Sequence, residues 1–158
     1  MHDVIVARAV HVLSVVIWIG GLSMVTTVAL PAVRRGALGP DPMLAFQAIE
    51  RRFVWQARAA VLLAGASGLY MSARLDLWDR FRSAGFWWMH AMACLWLLFS
   101  LMLFVIEPII GRRRRLRQEL PRSGQALKWL QRGHWLLLAL SVLTVFGAVA
   151  GSQGWAMF

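Results

Sequence analysis

The stretch VIVARAVHVLSVVIWIGGLSMVTTVAL, residues 4–30, decides the fold. Arg8 and His11 are its only ionisable residues, and an apolar run of this length exceeds the roughly 20 residues with which an α-helix crosses a bilayer. Similar runs follow at residues 53–73, 86–110 and 133–153. In hydrocarbon a helix satisfies its backbone groups from within, so each run reads as a helix. The expected architecture is all-α, an integral membrane four-helix bundle forming one domain over residues 1–158. Pro31 and Pro108 stand at the ends of the first and third runs, where a missing amide donor ends or bends a helix at little cost.

Composition points the same way. Of the 158 residues, 59% are hydrophobic, and the mean hydropathy of +0.62 is too high for an ordinary soluble domain of this size. A net charge of +10 would normally raise nucleic acid as a partner. Here the basic residues fall between apolar runs, which is the distribution of topology determinants, so no nucleic-acid partner is expected. Arg34, Arg35, Arg51 and Arg52 occupy the first loop. The third carries Arg112, Arg113, Arg114, Arg115, Arg117, Arg122 and Lys128, with Arg132 at the mouth of helix four. Arg74, Arg80 and Arg82 in the middle loop are offset by Asp76 and Asp79. The positive-inside rule then puts loops one and three in the cytoplasm and both termini in the periplasm of a bacterial inner membrane. Trp78, Phe81, Phe86, Trp87, Trp88, Trp155 and Phe158 would ring the outer interface, and Phe53, Trp55, Trp129 and Trp135 the inner one. The first run lacks a basic n-region and a small-residue cleavage site, and is expected to be retained.

Several chemistries are excluded. Cys94 is the only cysteine, so no disulfide forms within the chain. No phosphate-binding glycine loop, HExxH sequence or nucleophile elbow is present.

The informative polar residues are those inside the apolar runs, where an ionisable side chain asks for a partner. With the topology above, His11 and His90 both fall in the outer leaflet, at depths about 5 Å apart by helical rise. They sit on helices that could face each other, which is the placement of two axial ligands to haem b. The competing reading has each imidazole bonded to a carbonyl or hydroxyl of a neighbouring helix. Arg8 and Arg74 lie toward the same face and are candidates for haem propionates, or for interfacial snorkelling. Gly20, Gly21, Gly65, Gly68, Gly147 and Gly151 give helices one, two and four small faces, suited to close packing or to a flat macrocycle.

A second cluster, Arg58, Glu107 and His134, lies at the cytoplasmic side. An Arg58–Glu107 ion pair is expected there. The functional alternatives are a proton or quinone site, or a second haem at His134. Met89, Met92, His90 and Cys94 offer soft donors of the kind that bind Cu(I). Without a converging array, methionine as core filler is the simpler reading.

HVLSVVIWIGGL, from His11 to Leu22, and WWMHAMACLWLL, from Trp87 to Leu98, resemble motifs of the small four-helix membrane proteins of the copper-resistance D (CopD-like) group and the related membrane-bound protoporphyrinogen oxidases. The resemblance implies haem b within the bundle, with His11 the best-matching ligand and His90 next. It departs at Met92, where the oxidase branch carries a lysine, which weighs against protoporphyrinogen oxidation. The expected function is a cytochrome b passing electrons between a periplasmic partner or oxidant and the quinone pool. The alternatives are a tetrapyrrole oxidase, or a copper-handling or structural membrane protein without haem. Expected partners are membrane lipids, a quinone or redox protein, and a second copy in a homodimer.

Overall fold

The computed structural model describes residues 1–117 and 124–154. Arg122, Trp155 and Phe158 lie outside them. The fold is all-α: four helices in an up-down-up-down bundle. Helix α1 is His2–Arg34, α2 is Pro42–Arg74, α3 covers residues 87–117 and α4 is Gly124–Ser152. Two short 3₁₀ turns, Trp78–Arg82 and Ala84–Phe86, connect α2 to α3.

Local chemistry explains the helix ends. Gly36, with φ 68°, closes α1 by sending its amide to Val33 while Ala37 reaches Ala32. This pattern consumes orphan carbonyls and needs a left-handed residue. Asp41 then caps α2, its carboxylate accepting from the Leu44 amide at 3.1 Å, with Pro42 at the first helical position. That cap starts α2 well before residue 53, the start read from hydropathy. No breaker intervenes, so residues 47–52, Gln47, Glu50, Arg51 and Arg52 among them, simply continue the helix.

Three of the four helices are long and apolar enough to cross a membrane: His2–Arg34, Ala84–Arg112 and Lys128–Ser152. The expected run in α2 is the least apolar of the four and falls short of that hydropathy. Gln56 and Arg58 lower its hydropathy, and its residues facing α1 are small. Ala57, Ala60 and Ala64 are all buried, trading apolar bulk for close backbone approach. The outward side chains are of the opposite kind: Leu13, Val16, Leu62, Leu97 and Val149 are each more than half exposed. An exterior this apolar suits lipid rather than water. Together these features are the pattern of a multi-pass membrane protein.

Pairwise contacts fix an antiparallel order. Asp3 meets Arg74, His11 meets Ala64 and Phe53 fills the notch at Gly21, so α1 and α2 run in opposite directions. Trp96 reaches Val61 across α2 and α3, Trp87 sits at Gly147 across α3 and α4, and Arg34 bonds Gln131 across α1 and α4. Helices α1 and α3 are thus diagonal. They meet at the bundle centre, where the Trp18 and Phe99 rings pack edge to face at 4.7 Å within a cluster completed by Leu22, Ala60, Val61 and Leu138.

Both diagonal helices contain one π-helical turn, Val25–Ala29 in α1 and Met102–Ile106 in α3. Each is followed by a single residue and then by proline, Pro31 or Pro108. In π register a carbonyl accepts from the amide five residues on, as Met102 does from Glu107. The next such amide would be that of Pro108, which has no hydrogen. The carbonyl of Leu103 is therefore left for an outside donor.

Candidate functional site

In the half of the bundle that holds the start of α1, His11 is half-buried against α2. Its Nδ1 lies 2.9 Å from the Ala64 carbonyl oxygen and 3.2 Å from Ser67 Oγ. The Ser67 hydroxyl already donates to Leu63 O at 2.5 Å, so toward His11 it accepts. A carbonyl can only accept as well. Neutral His11 must carry its proton on Nδ1, which leaves the Nε2 lone pair available. Gly68 makes room for the ring: a Cβ there would stand 3.3 Å from His11 Cε1.

His90 is placed differently. It is exposed on α3, its Nε2 lies 2.9 Å from the Phe81 carbonyl oxygen, and its ring meets Phe81 edge to face at 5.7 Å. By the same logic its proton is on Nε2. No hydrogen bond or ring contact joins the two imidazoles, which stand on diagonal helices facing different partners.

Arg8 is exposed. Arg74 is engaged by Asp3 through Nε at 3.1 Å and a terminal guanidinium nitrogen at 3.1 Å, and Tyr70 donates to the same carboxylate at 2.8 Å. This Asp3–Tyr70–Arg74 cluster ties the start of α1 to the end of α2. Asp3 escaped the sequence reading because it precedes the apolar run. The small faces hold indoles: Trp96 at Gly65, Trp87 at Gly147 and Trp88 at Gly151.

These observations decide how well haem b fits. An imidazole whose Nδ1–H is held by a backbone carbonyl, with Nε2 open, is the usual state of a metal-ligating histidine. His11 meets that condition. His90 does not, because its Nε2 donates to Phe81.

In the other half of the bundle, the sequence-predicted residues converge further. Arg58 donates to Leu103 O from Nε at 3.1 Å and from a terminal nitrogen at 2.9 Å, and to Glu107 Oε2 at 2.7 Å. It thereby supplies the hydrogen that Pro108 lacks. Its guanidinium also lies 5.3 Å from the Trp55 ring centroid and 5.8 Å from that of Phe104. A cavity of about 480 Å³ opens beside this pair, lined by all four helices. Glu107 and His134 both line it, with Gln47, Glu50 and Arg51 from α2. His134 gives its Nδ1–H to Leu130 O at 2.9 Å, so its Nε2 lone pair is available.

The sequence reading missed Trp18. It lines this cavity, it is only 6% exposed, and its Nε1–H is buried without an acceptor. A tryptophan in an apolar run carries no signal separating a packed ring from an unpaired donor.

Of the soft donors, Met89 is buried, Met92 half-buried and Cys94 exposed. Among the described residues no three His, Cys, Asp or Glu side chains group so as to hold a metal ion. No family model, curated protein or solved structure matches the chain, so the CopD-like resemblance stands on its motifs alone.

Proposed function

We propose that this chain is a bacterial inner-membrane cytochrome b, with both termini in the periplasm and haem b held in the outer half of the bundle by His11. Bound there, haem b supplies one-electron transfer, between a periplasmic partner or oxidant and the quinone pool. The observation that carries the reading is the His11 Nδ1 bond to Ala64, which orients the ring and leaves Nε2 as the donor. Ser67 and Gly68 hold the ring on α2. His90 serves as a second ligand only by releasing the Phe81 carbonyl, so His11 leads the assignment. Absorption spectra of the purified chain test it: a Soret band that disappears in His11→Ala supports the reading, and a colourless protein made with ample haem overturns it.

One observation favours a second reading, a structural membrane protein. Both imidazoles bond backbone carbonyls on other elements, and such bonds tie a bundle together without any cofactor. On that reading His11→Ala lowers stability and has no pigment to lose.

A further inference from the structure

We propose that the basic start of α4 and the apolar groove that continues from it bind an anionic phospholipid, with its phosphate at Lys128 and Arg132 and an acyl chain along the groove. The site is independent of the haem and of the quinone proposed above.

A groove of about 480 Å³ runs along α4, lined by Trp135, Leu138, Ala139, Val142, Leu143 and Phe146. Ala139 stands one turn from Trp135 and one from Leu143, so a short side chain is flanked by two bulky ones. From Trp135 to Phe146 the groove spans about 16 Å by helical rise. One leaflet of a roughly 30 Å hydrocarbon core has that depth, and an acyl chain fills it.

The charges fall on the same line. At 3.6 residues per turn, Lys128, Arg132, Trp135, Ala139, Val142 and Phe146 share one stripe of α4, about 80° wide. Lys128 opens the apolar span Lys128–Ser152, so both cations sit in its first turns, at the level of lipid head groups, and the groove leads from them into hydrocarbon. Both are exposed, and neither forms an ion pair among the described residues. The Arg132 guanidinium lies 5.4 Å from the Trp129 ring centroid, which steadies it. From α1, Arg34 donates to Gln131 at 2.6 Å and brings a third cation to the flank of the stripe. Guanidinium groups take phosphate oxygens through paired hydrogen bonds, and clustered cations at a membrane surface favour anionic lipid.

A second copy of the chain is the rival occupant, and the charges oppose it. A two-fold dimer within one membrane sets this face against itself, so Lys128 and Arg132 would stand opposite their own counterparts. Like charges so placed repel, whereas a phosphate attracts every one of them.

The test titrates the full-length chain in neutral detergent with phosphatidylglycerol, and separately with phosphatidylcholine of the same acyl chains, counting bound lipids by native mass spectrometry. Phosphatidylglycerol with a diazirine on one acyl chain is then photolysed, and its adducts are mapped by peptide. The expected result is at least tenfold tighter binding of phosphatidylglycerol, with adducts on the groove residues of α4. Arg132→Gln should weaken that binding about fivefold, the usual effect of one basic residue near anionic lipid. Arg52→Gln removes the same charge at the same end of the bundle, from an exposed position on α2, the helix diagonal to α4, and should leave binding within about twofold. Ala139→Phe fills the groove at an exposed position with every charge kept, and should abolish the α4 adducts. Equal binding of the two lipids, equal losses in Arg132→Gln and Arg52→Gln, or adducts spread evenly over the four helices overturns the site. So does a dimer without α4 adducts, which would show that a second copy covers the groove.

Discussion

His11 Nδ1 stands 2.9 Å from the carbonyl oxygen of Ala64, and this single bond determines which nitrogen of the imidazole is left to bind anything else. Disturbing the ring's seat should therefore disturb ligation without touching the ligand itself. Gly68→Val places branched bulk where even a Cβ would lie 3.3 Å from Cε1. The expected outcome is a haem-to-protein ratio reduced by more than half with helix content retained. Ser67→Ala keeps the Ala64 bond and should reduce it less. Full haem occupancy in Gly68→Val would contradict the seat.

The glycine faces make a prediction about stability. At Gly65 a Cβ would fall 2.4 Å from the Trp96 ring, which also donates to Val61 O at 2.9 Å and cannot easily retreat. Gly65→Ala should cost about 1–3 kcal/mol, the usual range for overpacking. Gly20 has no neighbour within 4 Å. Gly20→Ala should be neutral or stabilising by up to about 1 kcal/mol, through the helix preference of alanine. Thermal unfolding in one detergent checks both, and equal effects would show that the indole does not occupy the notch.

Arg58 has two jobs, and they separate by mutation. Arg58→Met leaves the Leu103 carbonyl unpaired and should cost about 1–3 kcal/mol. Glu107→Gln should cost less than about 1 kcal/mol, since Arg58 keeps both bonds to Leu103 and the Glu107 side chain is 43% exposed. Pro108→Ala restores an amide hydrogen to the helix. In that background Arg58→Met should be milder than in the parent chain, a non-additivity that a double-mutant cycle reads directly. Strict additivity would mean that the Pro108 gap and the Arg58 bonds are unrelated.

Topology is testable by reporter fusion. With the arginine-rich loops in the cytoplasm, a reporter that works only outside the cytoplasm should be active at either terminus and silent in the 35–41 loop. Activity at one terminus alone would exclude an even number of crossings.

The helices were legible in the sequence because hydropathy and the prolines signal them directly. So was the pairing of Arg58 with Glu107, since a cation inside an apolar run demands an opposite charge. The start of α2 was not, because Asp41 and Pro42 lie beyond the hydrophobic stretch that hydropathy detects. His11 and His90 could be placed on helices and in depth, but helical periodicity does not say which helix each ring faces. That is set by Gly68 on one side and by the Phe81 turn on the other. Leu103 was invisible as a partner because a backbone carbonyl has no residue type. Its exposure follows from a π turn ahead of Pro108, which only the backbone shows.

The reduced-minus-oxidised absorption spectrum of the purified chain, with its haem-to-protein ratio, tests the central claim most directly. The account predicts a Soret band with sharp α and β bands at about one haem per chain, lost in His11→Ala and weakened or shifted in His90→Ala. A colourless wild-type protein, or a His11→Ala variant with full haem and an unchanged spectrum, would contradict it.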